Sequence, residues 1–168
     1  MNTRLIPNRD FPVNLVTHLQ ELALARPEDT ALITVSEVNG CWQEKRFSYR
    51  QLDQRVKALA AELQSHVLPG GRVLLLMEND EHYVIGFLAC LYAGAIAVPV
   101  FPPETVKEQH MARLLAIAAD ARAQCIVTTG DGVSLLHDAG ALQLSDIPVV
   151  TVDTVDSDCS RNWQAFEP

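Results

Sequence analysis

The sequence predicts an α/β fold in which alternating strands and helices form an open, mostly parallel sheet. From Arg72 to Val152, short apolar segments of strand length alternate with longer segments of helical periodicity, which is the pattern of βαβ units. One strand segment, Val73 to Met77, reads Val-Leu-Leu-Leu-Met, as strands covered on both faces do. The composition agrees with a globular domain, since 48% of the 168 residues are hydrophobic and 20% are charged.

Before this alternation, the sequence predicts a helix followed by a β-hairpin. Val13 to Ala25 places its apolar residues on one helical face, and Pro27 follows as a stop. Asn39-Gly40 is a strong two-residue turn signal. It joins a predicted strand at Ala31 to Val35 to a returning strand at Cys41 to Phe47, which is polar enough to be an edge strand.

The second predicted helix has both a start signal and a regular apolar stripe. Ser48-Tyr49-Arg50-Gln51 fits the capping box, in which the serine and the glutamine satisfy each other's backbone N–H groups. Helical spacing then places five apolar residues on one face: Leu52, Val56, Leu59, Ala60 and Leu63.

The alternating region contains a stretch that resembles a membrane span by length alone. Tyr83 to Phe101 has nineteen residues without a charge. We interpret it instead as a buried helix, started by Glu78-Asn79-Asp80 and ending near Gly94, that runs into a buried strand containing Pro99. The remaining predicted elements are the strand Ile96 to Val100, the helix Val106 to Arg122, the strand Gln124 to Thr128, the short helix Ser134 to Ala139 and the strand Pro148 to Val152.

Charge is distributed unevenly, which suggests two regions. The net charge is −8, and residues 131–168 contain Arg161 as their only Lys or Arg against seven acids. We therefore predict an α/β subdomain over 1–152 and an acidic linker over 153–168, in which only Trp163 and Phe166 look like residues that pack. A chain this acidic is a poor candidate for binding nucleic acid.

No pattern marks a catalytic or ligand-binding site. Thr128-Thr129-Gly130-Asp131-Gly132 is the nearest thing to a phosphate loop, but it lacks a lysine and Asp131 would repel a phosphate, so an ordinary strand-to-helix turn is favoured. Asp80-Glu81-His82 and Ser48 are explained by helix capping. Cys90 lies among apolar residues without an activating neighbour. We therefore predict no catalytic, cofactor-binding or metal-binding residue in this chain.

The cysteines and the N-terminus favour a reducing, cytoplasmic location. The four cysteines, Cys41, Cys90, Cys125 and Cys159, have no disulfide-framework or zinc-type spacing. Met1 to Asp10 carries charges and no apolar signal-peptide core. We expect no integral membrane segment.

Two motifs resemble the signatures of a known superfamily. Phe47-Ser48-Tyr49-Arg50-Gln51-Leu52 resembles the first signature of the adenylate-forming enzymes, which include acyl-CoA synthetases, peptide-synthetase adenylation domains and luciferases. The run Leu91 to Val100, Leu-Tyr-Ala-Gly-Ala-Ile-Ala-Val-Pro-Val, resembles the second. The likeness extends from about Val13 to Thr129, so the resemblance implies the N-terminal subdomain of the adenylate-forming fold.

The run Val98 to Pro103, Val-Pro-Val-Phe-Pro-Pro, followed by Arg113-Leu114, looks like the fatty acyl-AMP ligases. That resemblance implies an enzyme that uses ATP and magnesium to convert a fatty acid to its acyl-adenylate. It implies transfer of the acyl group to an acyl carrier protein, in lipid or polyketide biosynthesis. The alternatives are an acyl-CoA synthetase, a peptide-synthetase adenylation domain, or a free-standing binding or scaffold module of the same fold.

The family's phosphate loop, adenine-binding motif, ribose-binding aspartate and C-terminal lysine have no counterpart here. In the family, the phosphate loop begins soon after a segment like Asn162 to Pro168. We therefore expect this chain to be an N-terminal piece of a larger enzyme, inactive alone and without a bound cofactor. Apolar surface left uncovered would make it self-associate.

Overall fold

A four-stranded parallel sheet forms the centre of the protein. The computed structural model describes residues 14–101, 108–138, 144 and 146–166. Their helices and strands are, in chain order, α1 (Leu15–Ala25), β1 (Thr30–Val38), β2 (Cys41–Ser48), α2 (Tyr49–His66), β3 (Arg72–Leu76), α3 (Glu81–Tyr92), β4 (Ile96–Val100), α4 (Glu108–Ala121), β5 (Cys125–Thr128), α5 (Gly130–Asp138) and β6 (Val149–Thr151). The central sheet has the order β4-β3-β5-β6, with every pairing parallel, so the predicted fold class is confirmed.

Each face of this sheet packs against its own pair of helices. Val73 and Leu75 of β3 belong to an apolar cluster with residues of α2 and α3. Leu74 and Leu76 belong to a second cluster with residues of α4 and α5. Successive side chains of a strand point to opposite faces, so burial of both faces explains why β3 is apolar throughout.

The capping box predicted at the start of α2 is present. The Gln51 backbone N–H donates to Ser48 Oγ at 3.3 Å, and the Ser48 N–H donates to Gln51 Oε1 at 3.0 Å. All five residues of the predicted apolar stripe are buried. Local capping and periodicity therefore place this helix on the sheet as the sequence predicts.

The predicted hairpin forms a separate two-stranded antiparallel sheet from β1 and β2. Asn39 and Gly40 both have positive φ, at 53° and 76°, as the tight two-residue hairpin turn requires. β2 is exposed along most of its length, as expected for an edge strand, and only Phe47 is buried.

The prediction for the last helix is wrong at its start, because α5 begins at Gly130 and not at Ser134. Glycines at 130 and 132 lower the helix propensity of this turn, which hid it in the sequence. The Gly132 N–H donates to Thr129 Oγ1 at 3.2 Å, so the threonine caps the first turn. For α4, the predicted start at Val106 lies outside the described residues, as does the Pro102-Pro103 pair.

Residues 153–166 pack on the body of the protein. A 3₁₀ helix spans Ser157–Asn162 and lies against α2. Trp163 and Phe166, the two residues that the sequence set apart, contact Tyr92 and Gly94 respectively. The structure thus shows an ordered path where we expected a solvated segment, while the domain boundary at residue 152 stays a prediction.

The uncharged stretch Tyr83 to Phe101 forms most of α3, a turn and β4. Among the described residues, no helix combines the length and apolar character that crossing a bilayer requires.

Candidate functional site at the carboxyl edge of the sheet

The carboxyl ends of β3 and β5 form the place where an open α/β sheet most often binds a ligand. The two strands are neighbours, but the chain leaves β3 for α3 on one face and leaves β5 for α5 on the other. Such a divergence opens a crevice at the sheet edge. The sequence brings two of its candidate motifs to this edge, Asp80-Glu81-His82 after β3 and Thr128–Gly132 after β5.

The Thr128–Gly132 turn is already occupied by a carboxylate of the protein itself. The Gly130 N–H at the start of α5 lies 3.1 Å from both Oδ1 and Oδ2 of Asp153. An anion at a helix N-terminus interacts favourably with its free N–H groups and dipole. Asp153 therefore takes the position at the Gly130 N–H that an external anion would take.

Side-chain packing beneath the turn explains its second glycine. Thr128 is fully buried, and its Oγ1 donates to the Leu76 carbonyl oxygen at 2.7 Å across the two strands. A Cβ atom at Gly132 would lie 2.0 Å from Thr128 Oγ1. The glycine is required by close packing on this threonine, which is a structural role.

The acids after β3 also have structural partners. Asp80 is the N-cap of α3, where its Oδ1 accepts from the backbone N–H groups of His82 at 2.9 Å and Tyr83 at 3.2 Å. The His82 ring Nδ1 lies 3.1 Å from Asp80 Oδ2. These contacts agree with helix capping as the explanation of the motif.

Glu81 joins α3 to the hairpin. It accepts hydrogen bonds from Lys45 of β2 and from Thr34 Oγ1 of β1, the latter at 3.1 Å. Burial raises the pKa of Glu81, but the hydrogen bond and charge of Lys45 outweigh it, so the net pKa is lowered. Glu81 is therefore ionised and paired, which suits a structural bridge and not a proton donor.

A cavity of about 230 Å³ lies beside these motifs, between β2, α2, α3 and the segment after β6. Lys45, Arg55 and His82 line it together with Asp153. The charges of Lys45 and Arg55 are opposed by those of Asp153 within the wall and of Glu81 next to Lys45, so these four charges leave no excess of one sign with which to select an anion.

The buried thiols are also unsuited to catalysis. Burial raises the pKa of Cys90 to about 12, with a further contribution from nearby Cys125, whose own pKa is raised by burial to about 11. A thiol protonated at neutral pH is a poor nucleophile. Within the described residues, no group of three His, Cys, Asp or Glu side chains could hold a metal ion.

Asp153 is the residue at this edge that sequence reasoning missed. It was counted as one acid of a solvated tail, although it follows the last strand directly. Its position after β6, at the same sheet edge as Gly130, is the signal that could have found it, because the carboxyl ends of neighbouring parallel strands meet there.

Comparison with models of protein families shows which family this chain belongs to. The model of the AMP-binding enzyme family matches residues 19–167, which is most of the chain. The chain belongs to the AMP-binding enzyme family. The adenylate-forming superfamily predicted from the two motifs is thereby confirmed.

The most similar relatives include fatty-acid ligases. The medium-chain-fatty-acid–[acyl-carrier-protein] ligase JamA of Moorena producens is 29% identical over 160 residues, covering 84% of this chain and 27% of JamA. The long-chain-fatty-acid–AMP ligase FadD32 of Mycobacterium marinum is 31% identical over 164 residues, covering 94% of this chain and 25% of FadD32. The chain thus spans about a quarter of these relatives and corresponds to their N-terminal part.

A solved structure agrees with the sequence relatives. The fatty acyl-adenylate ligase from L. pneumophila, crystallised with acyl adenylate and pyrophosphate, superposes with a TM-score of 0.77 at 29% identity, over 90% of this chain and 25% of that one. The resemblance to fatty acyl-AMP ligases is confirmed, and the fold is that of the N-terminal part of such enzymes.

Proposed function

We propose that the whole protein containing this chain is a fatty acyl-AMP ligase that activates a medium- or long-chain fatty acid with ATP and magnesium and transfers the acyl group to an acyl carrier protein. The likeness to JamA carries this proposal, because that relative is named for a fatty acid and an acyl-carrier-protein acceptor. The named activities of FadD32 and of the L. pneumophila ligase support the acyl-adenylate step. A cytoplasmic location is part of the same proposal.

Within that enzyme, we assign the present residues a scaffolding role. Asp153 fills the turn after β5, Asp80 caps α3, and Glu81 is paired with Lys45. These three carboxylates of the candidate site thus each have a structural partner. We infer that nucleotide and magnesium are held by residues outside this chain, and that the 168-residue chain alone forms no acyl-adenylate.

The experiment compares the whole protein with this chain. The whole protein, given ATP, magnesium and a medium- or long-chain fatty acid, should release pyrophosphate in a fatty-acid-dependent reaction. The 168-residue chain should release none, and calorimetry should detect no ATP binding to it. Amino-acid-dependent release by the whole protein would overturn the proposal in favour of a peptide-synthetase domain, and a micromolar dissociation constant for the chain would overturn the scaffolding role.

We also propose that the isolated chain self-associates. Its surface carries several large apolar side chains, the most exposed being Phe101, Leu24, Leu68 and Trp42. Exposed apolar surface of this kind promotes association. Light scattering over a dilution series should show a mass that rises with concentration, whereas a constant monomer mass would contradict the proposal.

A further inference from the structure

The segment that follows β6, residues 152–166, crosses the outside of α2 and reaches the end of α3. We call this segment the strap. Val152, Val155 and Trp163 of the strap are partly buried against the cluster that α2 and α3 form with the sheet. Its 3₁₀ helix contains no buried residue, so the strap rests on the body and contributes little to its core.

The backbone of the strap makes few hydrogen bonds to the backbone of the body. The Val152 N–H donates to the Thr128 carbonyl at 2.9 Å, which continues the pairing of β6 with β5. From residue 154 onward, the described backbone–backbone bonds of the strap are local ones within the strap or back to Thr151. An element held by side chains, with few buried apolar groups, opens at lower free energy than the strands of a core.

At one end of the strap, the Asp153 carboxylate accepts from the Gly130 N–H. Further along, four residues that hold the strap form a closed ring. Trp163 Nε1 donates to the Tyr92 carbonyl oxygen at 3.0 Å, and the Lys57 ammonium lies 5.2 Å from the centroid of a Trp163 ring. Lys57 in turn lies 2.7 Å from Asp53 Oδ2, and the Tyr92 hydroxyl donates to Asp53 Oδ1 at 3.2 Å. Trp163 of the strap is thus bound to Tyr92 and Lys57 of the body, and both of these are bound to Asp53.

We expect the ion pair of this ring to stabilise the protein more than an ion pair that is exposed to water. The side chains of Asp53 and Lys57 are only 15% and 26% exposed, unlike the Arg46–Glu44 pair, where both side chains exceed half exposure. Reduced contact with water strengthens both the ion pair and the cation–π contact. Outside the ring, Gln164 exchanges two hydrogen bonds with the Gln64 side chain, at 2.7 and 3.1 Å.

We propose that the strap is a conformational latch, which opens as one unit while the parallel sheet stays folded, and that the Asp53–Lys57–Trp163–Tyr92 ring is its lock. Trp163 and Phe166 of the strap form part of the wall of an apolar groove of about 600 Å³ between α1 and the end of α3. Opening the strap therefore removes one wall of this groove and uncovers the Tyr92 end of α3. This inference concerns the chain itself and does not depend on the proposed ligase activity.

Urea unfolding of a Trp42→Phe variant tests the latch, because Trp163 is then the only tryptophan. Trp42 is 74% exposed, so its replacement should leave the fold intact. Trp163 fluorescence should change at lower urea than far-ultraviolet circular dichroism. Lys57→Met should increase the opening equilibrium constant about fivefold, the effect of losing one partly buried cation–π contact. Because it also removes the ion pair with Asp53 in α2, it should lower both midpoints, but the fluorescence midpoint by more than the dichroism midpoint.

Lys45→Met is the matched control, since Lys45 is paired with Glu81 and lies over the Phe47 ring, and so is not part of the ring that holds Trp163. Lys45→Met should lower the dichroism midpoint, and Trp163 fluorescence should still change at a lower urea concentration than the dichroism does. Coincident transitions in the Trp42→Phe protein, or equal shifts of both midpoints by Lys57→Met, would overturn the latch. Should Trp42→Phe fail to fold, hydrogen exchange in the unaltered chain decides: the Trp163 indole N–H should exchange faster than the β3 and β5 amides, and equal protection would overturn the proposal.

Discussion

Phe166 packs against Gly94 so closely that a Cβ atom at Gly94 would lie 2.7 Å from two atoms of the Phe166 ring. Gly94 also has a φ of +71°, in the left-handed region that favours glycine. Glycine is therefore favoured at position 94, just after α3, for two reasons. The backbone there is left-handed, and the Phe166 ring of the strap leaves no room for a Cβ atom.

Gly94→Ala should lower the free energy of unfolding by about 2 kcal/mol or more, because the left-handed conformation costs a side-chain-bearing residue about 1–2 kcal/mol and Phe166 must move as well. Gly94→Val should cost more, since a β-branched residue tolerates this conformation least. Chemical denaturation measures both losses.

Gly70→Ala is the control that distinguishes the cost of the left-handed backbone from the cost of the Phe166 contact. Gly70 has a similar φ of +78°, but a Cβ there would have no neighbour within 4 Å. We expect Gly70→Ala to show only the backbone cost. Equal losses at the two positions would show that the Phe166 contact contributes nothing.

Gly132→Ala should destabilise the protein more than Gly130→Ala. A Cβ at Gly132 would meet Thr128 Oγ1 at 2.0 Å, whereas one at Gly130 would meet Asp153 Oδ2 at an ordinary 3.5 Å. Thr128 cannot move away without losing its hydrogen bond to Leu76, which contributes about 1 kcal/mol. Thermal unfolding compares the two variants, and a larger fall in melting temperature for Gly130→Ala would show that the turn is packed differently.

Thiol labelling should distinguish Cys41 from the two buried cysteines. Cys41 is exposed, whereas Cys90 and Cys125 are buried with pKa values raised to about 12 and 11. A coloured disulfide reagent at pH 8 should modify Cys41 rapidly and should reach Cys90 and Cys125 only on unfolding. A Cys41→Ser variant identifies the fast site. Rapid labelling of Cys90 in the folded protein would contradict its burial.

The same thiols should make stability fall at alkaline pH. Their pKa values are higher in the folded protein than in the unfolded chain, where an ordinary thiol ionises at about 8.5. Their contribution is thus fully present below that pH and is lost as the pH rises toward about 12, because the unfolded state releases protons first. Cys90→Ala should flatten this decline between about pH 9 and 11 relative to the unaltered chain, as measured by denaturation at each pH.

Local signals were sufficient to predict most of the fold. The capping box at Ser48, the Asn39-Gly40 turn and the apolar run of β3 each act within a few residues, and each element forms where predicted. α5 was placed four residues late because Gly130 and Gly132 lower the helix propensity of its first turn, and because Asp153, which bonds to the Gly130 N–H, is distant in sequence. A contact between residues that are distant in the chain, such as that of Asp153 with Gly130, cannot be read from a single sequence.

The strap was missed for a similar reason. Its acidic composition is typical of a solvated segment, and its attachment depends on Trp163 reaching residues that lie far earlier in the chain.

At the candidate site, the prediction for the Thr128–Gly132 turn used only residues that are close together in the sequence. The phosphate-like turn was interpreted as an ordinary turn because it lacks a lysine, which stays a prediction. The bond from the Gly130 N–H to Asp153 was not predicted.

Following the acyl group gives the most direct test of the claim that the whole protein delivers fatty acids to a carrier protein. The whole protein would be incubated with radiolabelled medium- or long-chain fatty acid, ATP and magnesium, and then divided between free CoA and a carrier protein bearing its phosphopantetheine arm. Label should accumulate as acyl-adenylate, pass to the carrier protein, and pass poorly to CoA. Rapid and stoichiometric formation of acyl-CoA would contradict the claim and would make the protein an acyl-CoA synthetase.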